Sequence, residues 1–397
     1  MKVKVRRGDS FWYYSQLFYI PVRLIVDSNP SIEAERLKIG TEVKIPGFRS
    51  EEYTIREGDS FWTLAQQRNI LVDALLLLNE WVNPTDLQIG SKVLLPARVV
   101  SPLIKGKQAF DPKTLEHAMQ QLREVYPFIK SRTIGESVFG NEIVEWRIGN
   151  GKRKVHFNGS FHANEWITTS ILMKFINDYV LALTNGSLMR GIEAMPVYES
   201  VMISFVPMVN PDGVDLVLNG PPADQRKELI EINKGSADFT GWKANGRGVD
   251  LNNQYPAKWE LEKERKEEKA PAPRDFPGYK PLSEPEAVAM AELAEKEKFD
   301  RVLAIHTQGK EFYWGYEGME PPESAKLAAD FTRVSGYESI RYIDSYAGYK
   351  DWFVQEFKKA GFTIELGKGI NPLPLSQFNE IYQDVLGIFL VAVYKWY

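Results

Sequence analysis

The chain has 397 residues, 44% of them hydrophobic and 26% charged, and a formal net charge of −4. That length suits two or three domains, and the charge excludes the broad basic field of a nucleic-acid binder. There is no cysteine, which excludes disulfides and any thiolate-held metal.

Met1 to Asp9 has no apolar run behind its charges, so a secretory signal peptide is not expected there. Nor does any later run approach the roughly 20 apolar residues that cross a bilayer. The first hundred residues repeat. Val5-Arg6-Arg7-Gly8-Asp9-Ser10-Phe11-Trp12 returns 50 residues on as Ile55-Arg56-Glu57-Gly58-Asp59-Ser60-Phe61-Trp62. The same offset relates Asn29 to Asn79, Gly40 to Gly90 and Ile45-Pro46 to Leu95-Pro96. Matches in one register at this many places mark a duplicated unit.

Each copy reads as strand, helix, helix, strand. Gly-Asp marks a turn, and Ser10 or Ser60 can cap the helix that follows. In the second copy the spacing predicts helices over 61–68 and 72–79 and a strand over 92–96. These motifs resemble the LysM module. The resemblance implies binding to the N-acetylglucosamine backbone of peptidoglycan, with Gly8, Asp9, Ser10, Asn29, Gly58, Asp59, Ser60 and Asn79 as the glycan-binding set. A purely packing or dimerisation role is the plainer alternative. The expected modules are 1–48 and 51–98, with a linker over 99–110.

From 111 to 397 strands and helices alternate, which predicts an α/β domain. Strands are expected over 143–148, 154–159, 201–208, 301–306 and 362–365. Helices are expected over 112–125, 166–184, 285–297, 324–336, 349–360 and 375–394. The charge-rich run 260–269 reads as a solvated excursion.

The chain has four histidines: His117, His156, His162 and His306. His162-Ala163-Asn164-Glu165 lies where an apolar strand gives way to a helix, and His306 ends another apolar strand. Strand ends gather active groups in open α/β sheets. Two imidazoles and a carboxylate would leave a position open on a hydrolytic zinc ion. His156, within an apolar strand, reads as a core residue, and His117 as a surface or packing residue.

The order His162-x-x-Glu165, Asn210-Pro211-Asp212-Gly213, Asp250-Leu251-Asn252, His306-Thr307 and Phe362-Thr363-Ile364-Glu365-Leu366 resembles the zinc carboxypeptidase family. The resemblance implies a mixed α/β sheet and one Zn2+ held by His162, Glu165 and His306. It implies Glu365 as general base and acid. It implies a cation for the developing oxyanion at Lys243 or Arg247. Asn252, Asn253, Tyr346 and Lys350 fall at substrate-binding positions.

Two departures narrow the substrate. Asn253 stands where such carboxypeptidases carry an arginine, and a neutral amide cannot give a charged bidentate grip on a terminal carboxylate. Lys350 stands at the expected pocket floor, where a cation would favour a side chain ending in a carboxylate. With the LysM-like repeats in front, the whole chain resembles the bacterial γ-D-glutamyl-L-diamino acid endopeptidases. That implies cleavage of the γ-D-glutamyl–diaminopimelate bond of peptidoglycan stem peptides, and a cell-wall or spore-associated setting. The rival readings are a general metallocarboxypeptidase and a non-catalytic peptidoglycan-binding protein.

Overall fold

The computed structural model describes residues 1–104 and 106–397. The chain divides into two compact units. One comprises 1–103 with 118–130 and 177–189, the other 104–117, 131–176 and 190–397. These limits differ from the expected boundaries at 98 and 111. Within the stretch expected as linker, Val99, Ile104 and Phe110 are buried, and the Val99 amide donates to the Gly47 carbonyl at 2.9 Å.

The first unit carries both repeats. The first repeat is β1 (Lys2–Lys4), α1 (Phe11–Phe18), α2 (Val22–Ser28) and β2 (Glu42–Lys44). The second is β3 (Phe48–Thr54), α3 (Phe61–Gln67), α4 (Val72–Leu78) and β4 (Lys92–Arg98). β1 pairs antiparallel with β2, and β3 with β4. The Ser10 and Ser60 hydroxyls accept from the amides of Tyr13 and Thr63, capping α1 and α3. Gly8 and Gly58 have φ of 91° and 84°, so the turn itself requires glycine.

The fold also uses the polar residues expected to meet glycan. Asp9 accepts from the Arg6 amide and the Tyr14 hydroxyl, both at 2.8 Å. Asp59 accepts in the same way from the Arg56 amide and the Tyr53 hydroxyl. Asn29 is buried, its amide donating to the Ile25 and Lys44 carbonyls and accepting from Lys44 N. Asn79 repeats this against Leu75 and Leu94. The side chains of Asn29 and Asn79 are therefore spent on holding helix to strand and are not available to a ligand. Trp12 and Trp62, at equivalent positions, are exposed, 64% and 63% accessible, as are Tyr19 and Trp81. The repeats are tied together by Arg6, whose guanidinium grips Asp73 of the second repeat at 2.9 and 2.5 Å. The Tyr13 hydroxyl donates to the same carboxylate.

The rest of the chain runs α5 (Pro112–Val125), β5 (Lys130–Glu136), β6 (Glu142–Ile148), β7 (Arg153–Gly159), α6 (Ile167–Asn185), β8 (Leu188–Met189), β9 (Ile192–Glu193), α7 (Ala194–Ser200) and β10 (Val201–Val206). There follow α8 (Pro211–Asn219), α9 (Arg226–Ile232), α10 (Trp259–Arg265), α11 (Pro285–Glu297), β11 (Arg301–Thr307) and β12 (Glu311–Tyr313). The last elements are α12 (Glu323–Ser335), β13 (Glu338–Ile340), α13 (Tyr349–Phe357), β14 (Ala360–Leu366) and α14 (Phe378–Tyr394).

Eight strands make one mixed sheet in the order β13-β12-β14-β11-β7-β10-β6-β5. Its centre, β14-β11-β7-β10, is parallel, with β6 antiparallel to β10 and β12 antiparallel to β14. Every residue of β10 and β11 is buried, as expected for strands covered on both faces. In this core the Phe157 ring packs against Phe205 and Phe389, with centroids 5.4 and 5.2 Å away. The run 260–269 departs from the expected excursion. Part of it forms α10, and Glu262 is buried there, paired with Arg265 and Lys266 at 3.4 and 3.2 Å. An ion-paired carboxylate can be buried where a lone one cannot.

Candidate metal centre

β7 delivers the chain to His162. The turn Ala163–Glu165 is a single 3-10 turn before α6, and β11 ends at His306–Thr307. Asn210 fixes this corner. Its buried amide donates to the Phe161 carbonyl at 3.1 Å and the Ala244 carbonyl at 3.0 Å, while its oxygen caps α8. The loops carrying His162 and Lys243 are also bonded directly, Ala163 N to Lys243 O at 3.0 Å. A side chain on Gly213 would strike the Ala244 carbonyl and Ala163. Glycine therefore lets α8 approach the turn, which explains the Asn-Pro-Asp-Gly motif.

His162 Nδ1 lies 2.8 Å from Glu165 Oε1, and His306 Nδ1 lies 3.0 Å from Glu165 Oε2. The two Nδ1 atoms are 3.2 Å apart. A tetrahedral ion with ligands at about 2.1 Å holds its donors roughly 3.4 Å apart. All three side chains are buried, and one ligand atom from each lies within 4.8 Å of the others. The His162 Nε2–H donates to Asp250 Oδ1 at 3.2 Å. That partner fixes the tautomer, leaving Nδ1 as the ligand atom. The donor set and its spacing fit one zinc ion.

The electrostatics favour positive charge at this point. Burial alone would lower His162, but the Glu165 and Asp250 carboxylates outweigh it and hold it up at about 9. Burial would raise Glu165, yet the two histidines bring it down to about 2. Lys243 Nζ pairs with Asp250 Oδ2 at 2.9 Å and with Asp275 at 3.4 Å. Against desolvation, these carboxylates keep its pKa above the usual lysine value. Glu365 stands in register opposite His306 on the neighbouring strand. Burial first, then the charge of Glu165, pushes its carboxyl well above the ordinary range.

The other expected residues are placed differently. The Arg247 side chain is 56% exposed and faces Glu284 at 3.6 Å. Lys350 is buried, its ammonium paired with Asp351 and donating to the Gly315 carbonyl at 2.9 Å. Its charge is thus already matched inside the fold, against the expectation of an open pocket cation. Asn252 accepts from Tyr349 N at 3.0 Å, and Asn253 is buried. The Tyr346 ring lies beneath Lys258 and Arg265. His156 is a core residue, bonded to Ser204 at 2.9 Å and stacked on Phe299.

Two residues without an expected role join the cluster. Asp250 bridges His162 and Lys243. The Asn371 amide donates to Glu165 Oε1 at 3.4 Å and to the Thr307 carbonyl at 3.0 Å, and its oxygen accepts from the Thr307 hydroxyl. Asp250 lies in the recognisable Asp-x-Asn motif. Asn371 has no signal beyond its place after Glu365.

Residues 115–386 match the zinc carboxypeptidase family, and residues 3–46 and 53–96 each match the LysM domain. The chain is 56% identical over 396 residues to gamma-D-glutamyl-L-diamino acid endopeptidase 1 of Lysinibacillus sphaericus, covering 99% of this chain and 100% of that one. It is 48% identical over 297 residues to the Bacillus subtilis protein YqgT, covering 73% of this chain and 79% of that one. Among solved structures, thrombin-activatable fibrinolysis inhibitor aligns with a TM-score of 0.58 at 17% identity, over 72% of this chain and 74% of that one. Carboxypeptidase A from Helicoverpa armigera aligns with a TM-score of 0.56 at 18% identity, over 73% and 74%. These two likenesses show a shared fold. The chain therefore belongs to the zinc carboxypeptidase family, as a metallopeptidase with two LysM domains ahead of its catalytic domain.

Proposed function

We propose that the chain hydrolyses the γ-D-glutamyl–diaminopimelate bond of peptidoglycan stem peptides, with its LysM domains holding it on the cell wall. The observation that carries the reaction type is the convergence of His162, Glu165 and His306 beside Glu365. The substrate reading is supported by identity along the whole chain to an enzyme named for that activity. Asn253, in place of a carboxylate-gripping arginine, argues against a general carboxypeptidase.

His162, Glu165 and His306 would hold the zinc, which when bound polarises the scissile carbonyl and lowers the pKa of its water. Glu365, half-buried at the strand end, takes the proton of the attacking water and returns it to the leaving amine. Lys243, steadied by Asp250 and Asp275, keeps a fixed positive charge beside the charge that develops on the carbonyl oxygen. Two glycan-binding domains clamped together raise the local concentration of the peptidase at its polymer.

The test is a digest of L-alanyl-γ-D-glutamyl-diaminopimelate by zinc-loaded protein and by Glu365→Ala. The expected products are L-alanyl-D-glutamate and free diaminopimelate from the wild type, and none from the variant. Undiminished cleavage by the variant would remove Glu365 from the mechanism. Release of C-terminal residues from ordinary peptides at comparable rates would favour the general carboxypeptidase.

A further inference from the structure

β12 lies antiparallel beside β14, with Glu311 opposite Glu365 and Tyr313 opposite Thr363. Cross-strand partners point to the same face of a sheet, so a second carboxylate flanks the proposed general base. Two like charges directly opposite each other destabilise a sheet, and proton transfer to the leaving amine needs only one of them. Glu311 is also held in place. The Tyr313 hydroxyl donates to its Oε1. A side chain on Gly309 would sit 2.9 Å from the Glu311 carboxyl carbon, so glycine there keeps room for it. Gly309 N donates to the Gly367 carbonyl at 2.9 Å, joining the loops that follow β11 and β14.

Among the described residues no cation pairs with Glu311. Its neighbour Lys310 is turned to Glu380 and Asp384, at 2.6 and 2.9 Å. Glu311 and Tyr313 are both half-exposed, so a ligand can reach them.

We propose that Glu311 is a specificity-determining residue that receives the second, non-reacting ammonium group of the diamino acid on the leaving side of the scissile bond. This rests on the function proposed above, because only a diamino acid brings a further cation to the site. Tyr313 is a positioning residue that orients the carboxylate.

The experiment compares two peptides with wild type, Glu311→Gln and Tyr313→Phe, all zinc-loaded. One peptide is L-alanyl-γ-D-glutamyl-diaminopimelate. In the other, 2-aminopimelate replaces the diamino acid, removing the distal amine and keeping the distal carboxylate. The wild type is expected to prefer the diamino peptide by roughly 10- to 100-fold in kcat/KM, the range of a charged hydrogen bond. Glu311→Gln should lose that preference, chiefly through a higher KM for the diamino peptide. Tyr313→Phe should lose part of the preference in the same direction, which keeps the test alive if Glu311→Gln folds poorly. Equal losses on both peptides, or an unchanged preference in both variants, would overturn the role of Glu311. A wild type that cuts neither peptide would instead overturn the function on which the proposal rests.

Discussion

Glu365 and His306 face each other in register on adjacent parallel strands, His306 among the proposed zinc ligands and Glu365 as the proposed base. The sheet itself thus fixes the spacing between metal and base. Glu365→Gln should keep its zinc and its KM while kcat falls about 10²- to 10⁴-fold, the usual contribution of general acid–base catalysis. Steady-state kinetics with metal analysis on the same sample checks both halves.

Asp250 holds His162 from behind and Lys243 from the side. Asp250→Ala frees the imidazole and leaves Lys243 with Asp275 alone. Zinc affinity, measured by competition with a chromogenic chelator, should fall about 10- to 100-fold, as for other outer partners of metal-bound histidines.

Lys243 and Arg247 are the two cations of one loop, and only Lys243 is tied to the metal cluster. Lys243→Met should lower kcat roughly 10²- to 10³-fold, the size of a lost oxyanion contact. Arg247→Met should change it little. The reverse ranking in parallel assays would assign the role to Arg247.

Lys350 and Asp351 form a buried pair. Removing one partner strands the other charge, so Lys350→Ala should cost about 3–5 kcal/mol of stability in chemical denaturation. Its effect on turnover should not depend on whether the substrate side chain ends in a carboxylate.

Glu286 supplies the pH dependence. Burial, opposed by hydrogen bonds that include those from Val138 N and the Asn245 amide, pushes its carboxyl up from 4.5 to about 7. The folded state therefore binds this proton more tightly than the unfolded chain. The resulting stability is fully present below pH 4.5 and is lost as pH rises through 7. The total is about 3 kcal/mol. Glu286→Gln should flatten the fall in melting temperature between pH 5 and pH 8, measured by calorimetry on both proteins.

The sequence carried the parts whose chemistry is local. The 50-residue repeat, the strand–helix–helix–strand order and the His-x-x-Glu turn are patterns within short stretches. Their helices end within a residue or two of the expected limits. What it hid depends on neighbours distant in the chain. Asn29 and Asn79 look like surface amides until the strands 15 residues later close over them. Lys350 looks like a pocket cation until Asp351 and the Gly315 carbonyl are seen to hold it. β12 and β13 are three residues each and escape any periodicity, yet β12 places Glu311 beside Glu365. Asn371 reaches Glu165 only because the loop after β14 folds back over β11.

Zinc stoichiometry with X-ray absorption at the zinc edge tests the central claim most directly. The wild type should hold one zinc per chain with two imidazole nitrogens in its shell, and His162→Ala or His306→Ala should each remove one nitrogen and loosen the ion. Purified, folded protein that takes up no zinc, or that keeps an unchanged zinc shell after both substitutions, would contradict the account.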